Sequence, residues 1–176
     1  MDRTSFQYVS DMNEAFGNPK GNPKAFNPDR IRAQMKNVLD EYKEFEEAMS
    51  ELEKYQGNCI EGGVYPDPET YATLLDGVRD ALCDIQVFAM GAQHLIGVDG
   101  DADMAAVLDG VMTRFCRTPE ELEATKSHFA AKGVTETYTQ GDFPKMILKS
   151  SVDQPDAPKD KFLKSVGYTD AVFPSV

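Results

Sequence analysis

Residues 74–96, LLDGVRDALCDIQVFAMGAQHLI, decide the fold of this chain. Their apolar residues recur at spacings of three and four, which predicts an α-helix. The helix has an N-cap candidate in Asp67, a proline at the first helical position in Pro68, and an expected end near Gly97. Its main apolar stripe is Leu74, Val78, Ala81, Ile85, Phe88, Ala92 and Leu95, widened by Leu75, Leu82, Ala89 and Ile96. An apolar arc this broad is typical of a central, mostly buried helix.

A second long amphipathic helix is predicted upstream of this segment. Asn27 suits its N-cap and Pro28 its first helical position. Its expected core residues are Ile31, Met35, Val38, Tyr42, Phe45, Met49 and Leu52. We expect it to end at about Tyr55, before Gly57. A shorter helix, from about Phe6 to Phe16, is predicted before a loop rich in Gly, Pro and Asn.

Two further helices and a small β element are predicted downstream. The third helix covers roughly residues 101–114, with a core face of Met104, Val107, Leu108 and Val111. The fourth begins with a T-x-x-E capping box at Thr118 and Glu121 and ends before a C′ glycine, Gly133. After it, TETYTQ and FPKMILKSS are typical of a β-hairpin, and FLKSVGY of one more short strand. We therefore predict a mainly α fold: a helical bundle with a small C-terminal β-hairpin element.

Length and charge restrict the classes of protein to which the chain can belong. Its 176 residues suffice for one domain, which we divide into a helical catalytic core, residues 1–116, and a C-terminal part, residues 117–176, of the same domain. A net charge of −12 repels phosphate backbones, so we expect no nucleic acid polymer as a partner. We find neither a membrane span nor a signal peptide, so we expect a cytoplasmic protein, or one of the host cytoplasm if it is phage-encoded. Three cysteines without a C-x-x-C spacing, and only two histidines, argue against a disulfide framework or a zinc cluster.

Two pairs of acidic residues are the candidate metal ligands. Glu41 and Glu44 lie on one face of the upstream helix, and Asp80 and Asp84 on one face of the central helix. If the two apolar stripes pack antiparallel, the four carboxylates converge, which is costly unless a divalent cation lies among them. Oxygen ligands favour Mg²⁺ or Mn²⁺. The alternatives are a solvated acidic face, or ion pairs with the neighbouring Lys43 and Arg79.

The acidic segments resemble those of the MazG-like nucleotide pyrophosphohydrolases, an all-α superfamily. The chain is most similar to short phage-type members labelled phosphoribosyl-ATP pyrophosphohydrolase-like. The family segments EE-x-x-EL-x-x-A and DALAD-(I/V)-x-(Y/F)-V read DEYKEFEEA and DALCDIQVF here. The family's NMSKFC and KS-x-x-Y segments read VMTRFC and KSVGY, and all four occur in the family's order between about residues 6 and 172. The chain departs from the pattern at Ala81, where the superfamily has Glu, at Val111 in place of Asn, and at Arg114 in place of Lys.

The resemblance implies an enzyme that cleaves a nucleoside triphosphate, (d)NTP, into the monophosphate and pyrophosphate, with a slight preference for dGTP or GTP. It implies that Glu41, Glu44, Asp80 and Asp84 hold two or three Mg²⁺ or Mn²⁺ ions, and that Glu41 or Glu44 activates water. The implied substrate-binding residues are Arg114, Lys149 and Lys164 for the phosphates and Asn13, Phe16 and Tyr168 for the base. It also implies a homodimer or a homotetramer. The rival interpretation is a non-enzymatic helical protein that binds a partner and carries a solvated acidic face.

Overall fold

The computed structural model, which describes residues 3–176, confirms a mainly helical chain with a small C-terminal sheet. The helices are α1 (Ser5–Ala15), α2 (Pro28–Glu61), α3 (Pro68–Ile96), α4 (Gly100–Met112) and α5 (Pro119–Ala130), and the strands are β1 (Thr137–Gln140), β2 (Ile147–Ser150) and β3 (Phe162–Leu163). The chain forms two compact units, of which the first ends at Asp101 and the second is Ala102–Ser175. The boundary between these units falls in the first turn of α4, and the predicted division of a single domain after residue 116 stays a prediction.

The beginnings of α2 and α3 are as predicted. The side chain of Asn27 accepts hydrogen bonds from the amides of Asp29 and Arg30, and the side chain of Asp67 accepts one from the amide of Thr70 at 2.8 Å. These bonds satisfy amides that have no partner inside the helix.

The predicted end of α2 is wrong, because the helix continues through Gly57 to Glu61. A Cβ atom at Gly57 would meet nothing within 4 Å, so this glycine marks no close approach. A glycine inside a helix costs only about 1 kcal/mol relative to alanine. The burial of Cys59, two residues later, offsets that cost.

The two long helices pack antiparallel, as the sequence analysis supposed. Near the start of α2, the Gln34 amide nitrogen donates to the Phe88 carbonyl, in the second half of α3, at 3.2 Å. Near the end of α2, the Gln56 amide nitrogen donates to the Tyr71 hydroxyl, in the first turn of α3, at 3.3 Å. The helix α1 also packs against α3, which makes α3 the central helix of the first unit.

The predicted core stripe is confirmed in part on both helices, and on α2 it is wrong at Met35 and Tyr42. Val78, Ala81, Ala92 and Leu95 are buried on α3. On α2, however, Met35 is 42% exposed and Tyr42 is 52% exposed, whereas Leu52 is buried. The reason is that α3 is the main partner of α2 and covers only one face of it.

The helix α4 also differs from its prediction. It ends at Met112, and its expected core residues Met104, Val107 and Leu108 are exposed. The C-terminal tail covers a different face, where a Cβ at Gly110 would lie 3.1 Å from the Ala171 amide nitrogen. Among residues 3–176, these three apolar residues of α4 are therefore left exposed on the helix.

The remainder of the second unit has its own core beneath a three-stranded antiparallel sheet of order β1-β2-β3. The predicted hairpin is confirmed, with Thr137 opposite Ser150, and the extra strand places Leu163 opposite Leu148. The buried core residues are Cys116, Leu122, Val134, Leu148, Ala157 and Leu163.

The predicted cap of α5 is confirmed in part. The Thr118 hydroxyl accepts from the Glu121 amide at 3.2 Å, as in a capping box. Glu121, however, accepts from the Arg117 amide at 2.8 Å, one residue earlier than a capping box requires. Ala131 is the C-cap, so Gly133, with φ +84°, lies one residue beyond the C′ position and not at it as predicted.

In residues 3–176, no single helix is long and apolar enough to cross a membrane. Only α3 and α4 taken together reach the necessary length and composition, and the chain bends sharply between them.

Candidate functional site

The acidic pairs of α2 and α3 lie close enough together for their charges to raise the pKa of Glu41. Partial burial raises the pKa of the Glu41 carboxyl above its usual range, and the negative charge of Glu44 raises it further. Asp84, Asp40 and Asp80 act in the same direction with smaller effects. Because Asp80 and Asp84 belong to α3, carboxylates from both helices disfavour the charged form of Glu41.

The two basic residues next to these acids in the sequence form ion pairs with other carboxylates. The Lys43 ammonium pairs with Asp40 at 2.6 Å, and the Arg79 guanidinium pairs with Asp76 at 2.6 Å. In the part of the chain that the structure describes, the four predicted acids, Glu41, Glu44, Asp80 and Asp84, have no ion pair. The alternative that Lys43 and Arg79 neutralise them is therefore wrong.

An open groove of about 400 Å³ runs between the two helices beside these acids. It is lined by Glu44, Glu47, Ala48, Glu51, Gly77, Asp80 and Ala81, and we call it the acidic groove. A Cβ at Gly77 would lie 3.8 Å from the Ala48 side chain, so small residues let the helices approach closely at its floor. Glu47 and Glu51 were missed by the sequence analysis. The signal for them is their spacing of three and seven residues from Glu44, which keeps them on the same side of α2.

The donor set of these helices fits a hard divalent cation in chemistry and charge. All the candidate donors are carboxylate oxygens, which Mg²⁺ and Mn²⁺ prefer over nitrogen or sulfur. Among residues 3–176, no three His, Cys, Asp or Glu side chains converge closely enough to hold one metal ion. Glu44 and Asp80 are exposed, whereas Glu41 and Asp84 are partly buried. Joint coordination therefore requires the exposed side chains to rotate toward the partly buried ones.

In the second unit, three of the predicted substrate-binding residues come together. The Lys164 ammonium lies 3.9 Å from the centre of the Tyr168 ring, and the Arg114 guanidinium carbon lies 5.7 Å from it. The Ser165 amide donates to the Arg114 carbonyl at 2.9 Å and so fixes the two segments together. The Arg114 Nε is buried without a hydrogen-bond partner. Neither cation of this Arg114–Tyr168–Lys164 cluster has an ion pair among the described residues.

Of the other three predicted substrate-binding residues, Lys149 belongs to the second unit, and Asn13 and Phe16 belong to the first. Lys149 is on β2 between the buried Leu148 and Ser150, so its side chain points to the opposite face of the sheet. Asn13 is 5% exposed, and its amide nitrogen donates to the Val9 carbonyl at 2.9 Å. Phe16 is 72% exposed, so it is not a core residue of this chain.

No protein-family model matches this chain, and no curated protein is similar enough to count as a relative. The resemblance to the MazG-like enzymes therefore depends on the four short motifs and their order.

Proposed function

We propose that this protein is a metal-dependent nucleoside triphosphate pyrophosphohydrolase, which converts a (d)NTP into the (d)NMP and pyrophosphate. One observation carries the proposal: Glu41 is partly buried among Glu44, Asp80 and Asp84, while the adjacent cations Lys43 and Arg79 pair with other carboxylates. A carboxylate whose pKa is raised by burial and by like charges, and which has no counter-ion, is a frequent sign of a functional site.

The energetics of like charges support a cation among these four carboxylates. Like charges at a partly desolvated site repel one another more strongly than they do in bulk water. Full solvation would screen most of that repulsion, but Glu41 and Asp84 are partly buried. A bound divalent cation would convert the repulsion into attraction.

The proposed ligands are Glu41, Glu44, Asp80 and Asp84, which would hold two or three Mg²⁺ or Mn²⁺ ions. When bound, such ions neutralise phosphate oxygens and lower the pKa of water. Glu41 or Glu44 would accept the proton of the attacking water. The water oxygen forms a bond to the α-phosphorus, the bond from that phosphorus to the bridging oxygen breaks, and pyrophosphate leaves with the electron pair.

The proposed phosphate-binding residues are the two cations of the Arg114–Tyr168–Lys164 cluster, together with Lys149. A guanidinium with a buried, unpartnered Nε is suited to an anionic oxygen, because a planar guanidinium can donate two parallel hydrogen bonds. Asn13, Phe16 and Tyr168 are proposed to border the base, and dGTP or GTP is the preferred substrate.

The proposed assembly is a homodimer or a homotetramer acting in the cytoplasm. The exposed Met104, Val107 and Leu108 on α4 support an assembly, since three large apolar residues on one helix face are costly to leave in water.

The direct test is to incubate the protein separately with the eight common NTPs and dNTPs and Mn²⁺, and to identify the products by anion-exchange chromatography. We expect a monophosphate and pyrophosphate, most rapidly from dGTP or GTP, and no turnover in excess EDTA. A diphosphate and orthophosphate would overturn the proposed position of cleavage.

The second candidate is a non-enzymatic helical protein that binds a partner. The exposure of Glu44 and Asp80, with no three carboxylates converged, is the observation that favours it. It predicts no hydrolysis of any of the eight nucleotides, no rise in melting temperature on titration with Mn²⁺, and no difference between Asp84→Asn and the wild type.

A further inference from the structure

A second cavity lies in the first unit and shares no residue with the acidic groove. It has a volume of about 320 Å³. Its walls are Arg3 and the first two turns of α1, the loop that follows α1, the turn after α3 and the first turn of α4. The lining residues are Arg3, Phe6, Gln7, Ser10, Asp11, Lys20, Asp99 and Asp101.

Glycines allow three close contacts around this cavity, two with backbone and one with an aromatic ring. A Cβ at Gly21 would lie 2.0 Å from the Leu95 carbonyl oxygen, and one at Gly97 would lie 2.2 Å from the Gly21 carbonyl oxygen. A Cβ at Gly100 would lie 2.5 Å from the Phe6 ring. No other residue fits at these positions without displacing backbone or a buried ring, so the cavity is preformed, as small-molecule sites usually are.

Ser10, in the wall of the cavity, presents a hydrogen-bond acceptor to the cavity. Behind it lies His94, which is completely buried. The His94 Nε2 lies 2.8 Å from the Asn18 carbonyl oxygen, which can only accept, so Nε2 carries the proton. In the neutral ring Nδ1 then accepts, and it lies 2.8 Å from the Ser10 hydroxyl, which must donate. The lone pairs of the Ser10 oxygen remain available to a donor in the cavity.

The cavity also contains a cation without an ionic partner. The Lys20 ammonium lies 5.9 Å from the centre of the Phe6 ring and makes no ion pair in residues 3–176. Arg3, by contrast, is neutralised by Asp11. The Asp101 carboxylate accepts one hydrogen bond, from the Thr4 hydroxyl at 2.6 Å, and a carboxylate can accept several more.

We propose that this cavity binds a small zwitterion that carries both an ammonium and a carboxylate, such as a free α-amino acid. Lys20 pairs with the carboxylate of the ligand. The Ser10 oxygen and the Asp101 carboxylate accept from its ammonium. A volume of about 320 Å³ equals that of roughly ten water molecules, which leaves room for a side chain. The site is independent of the proposed pyrophosphohydrolase activity.

The test measures the melting temperature of the full chain with each of the twenty L-amino acids at 10 mM, against acetate and methylamine at the same concentration. At least one amino acid should raise the melting temperature by about 2 °C or more, in a saturable manner, since a ligand of the folded state stabilises by mass action. Acetate carries only the carboxylate and methylamine only the ammonium, so each should raise the melting temperature by less than half as much as the best amino acid. The proposal is overturned if no amino acid has a saturable effect, or if acetate or methylamine matches the best one.

Two loop lysines provide a matched pair of variants, to be measured by calorimetry with the amino acid that stabilises most. Lys20→Gln should weaken binding at least tenfold. Lys24→Gln removes the same charge from the same loop outside the cavity and should bind as the wild type does. Both substitutions fall on exposed side chains, so the unliganded melting temperatures should stay close to that of the wild type. Equal affinities in the two variants would assign the effect to net charge and refute the proposed site.

Discussion

Glu41 and Glu121 are both glutamates on helices, and their surroundings are opposite. Glu121, in the second unit, accepts hydrogen bonds from the Ser165 hydroxyl and the Arg117 amide. These donors lower the pKa of its carboxyl, the Ser165 bond most of all. Glu41, in the first unit, is partly buried near other carboxylates, and its pKa is raised. A carboxylate that holds a fold together is surrounded by donors, so one without donors costs stability and is expected at a functional site.

The sharpest test of that comparison removes one acid from the Glu41 neighbourhood. Asp84→Asn keeps the shape of the side chain and removes its charge. We expect Mn²⁺-dependent hydrolysis to fall by more than about 100-fold, beyond the range typical of outer-shell residues at metal sites. Asp76→Asn is the matched control on the same helix, because Asp76 is exposed and paired with Arg79. Equal activities of the two variants would remove Asp84 from the site.

On the other side of the comparison, Glu121→Ala should cost stability. The substitution removes two hydrogen bonds and leaves the Ser165 hydroxyl, which is 4% exposed, without its acceptor. We expect the free energy of unfolding to fall by about 2 kcal/mol. Glu123→Ala, two residues along, removes only an exposed pair with Lys126 and should cost less than about 0.5 kcal/mol. Chemical denaturation of the two variants measures the difference, and similar losses would show that Glu121 is not a structural acid.

The same contrast applies to cations, since Lys164 forms no ion pair with any carboxylate in residues 3–176. We expect Lys164→Gln to raise the KM for the triphosphate about tenfold, the loss of roughly 1.4 kcal/mol of binding, with a smaller change in kcat. Lys159→Gln removes the same charge upstream in the same unit and should leave KM within about twofold. Steady-state kinetics with the best substrate separates them. If both variants change KM equally, the general field of the protein is responsible and not the Arg114–Tyr168–Lys164 cluster.

Several signals that lie within a few residues of one another were read correctly from the sequence. The N-caps at Asn27 and Asp67 and the hairpin at residues 137–150 depend on local hydrogen bonds and turn residues. The end of α2 was misread because distant packing outweighed the local cost of Gly57.

The contacts that form the candidate sites span longer separations. The spacing of Glu41 and Glu44 places both on one side of α2, but no local rule shows that Lys43 pairs with Asp40 instead of with them. Likewise, Arg114 and Tyr168 are more than fifty residues apart, and only the family resemblance connected them before the structure did. Which charges remain unpaired is a property of the packed structure and not of spacing.

The smallest expected effect is on the stability of the metal-free protein. The folded state holds the pKa of Glu41 above its unfolded value of 4.5. As the pH rises above about 4.5, the Glu41 carboxyl loses its proton in the unfolded state before it does so in the folded state. The free energy of unfolding therefore falls as Glu41 ionises. Glu121 has the opposite sign, because its pKa is lowered in the folded state, and its contribution is lost as the pH falls.

Glu41→Gln should therefore raise the melting temperature of the metal-free protein at pH 7, and this gain should vanish below about pH 4, where Glu41 is protonated in both states. Glu53→Gln, an exposed substitution on the same helix, controls for the change in net charge. Saturating Mn²⁺ should stabilise the wild type more than Glu41→Gln, since the variant lacks one of the carboxylates that attract the ion. A variant that is less stable than the wild type without metal would mean that Glu41 is satisfied like Glu121, and the contrast between the two glutamates would disappear.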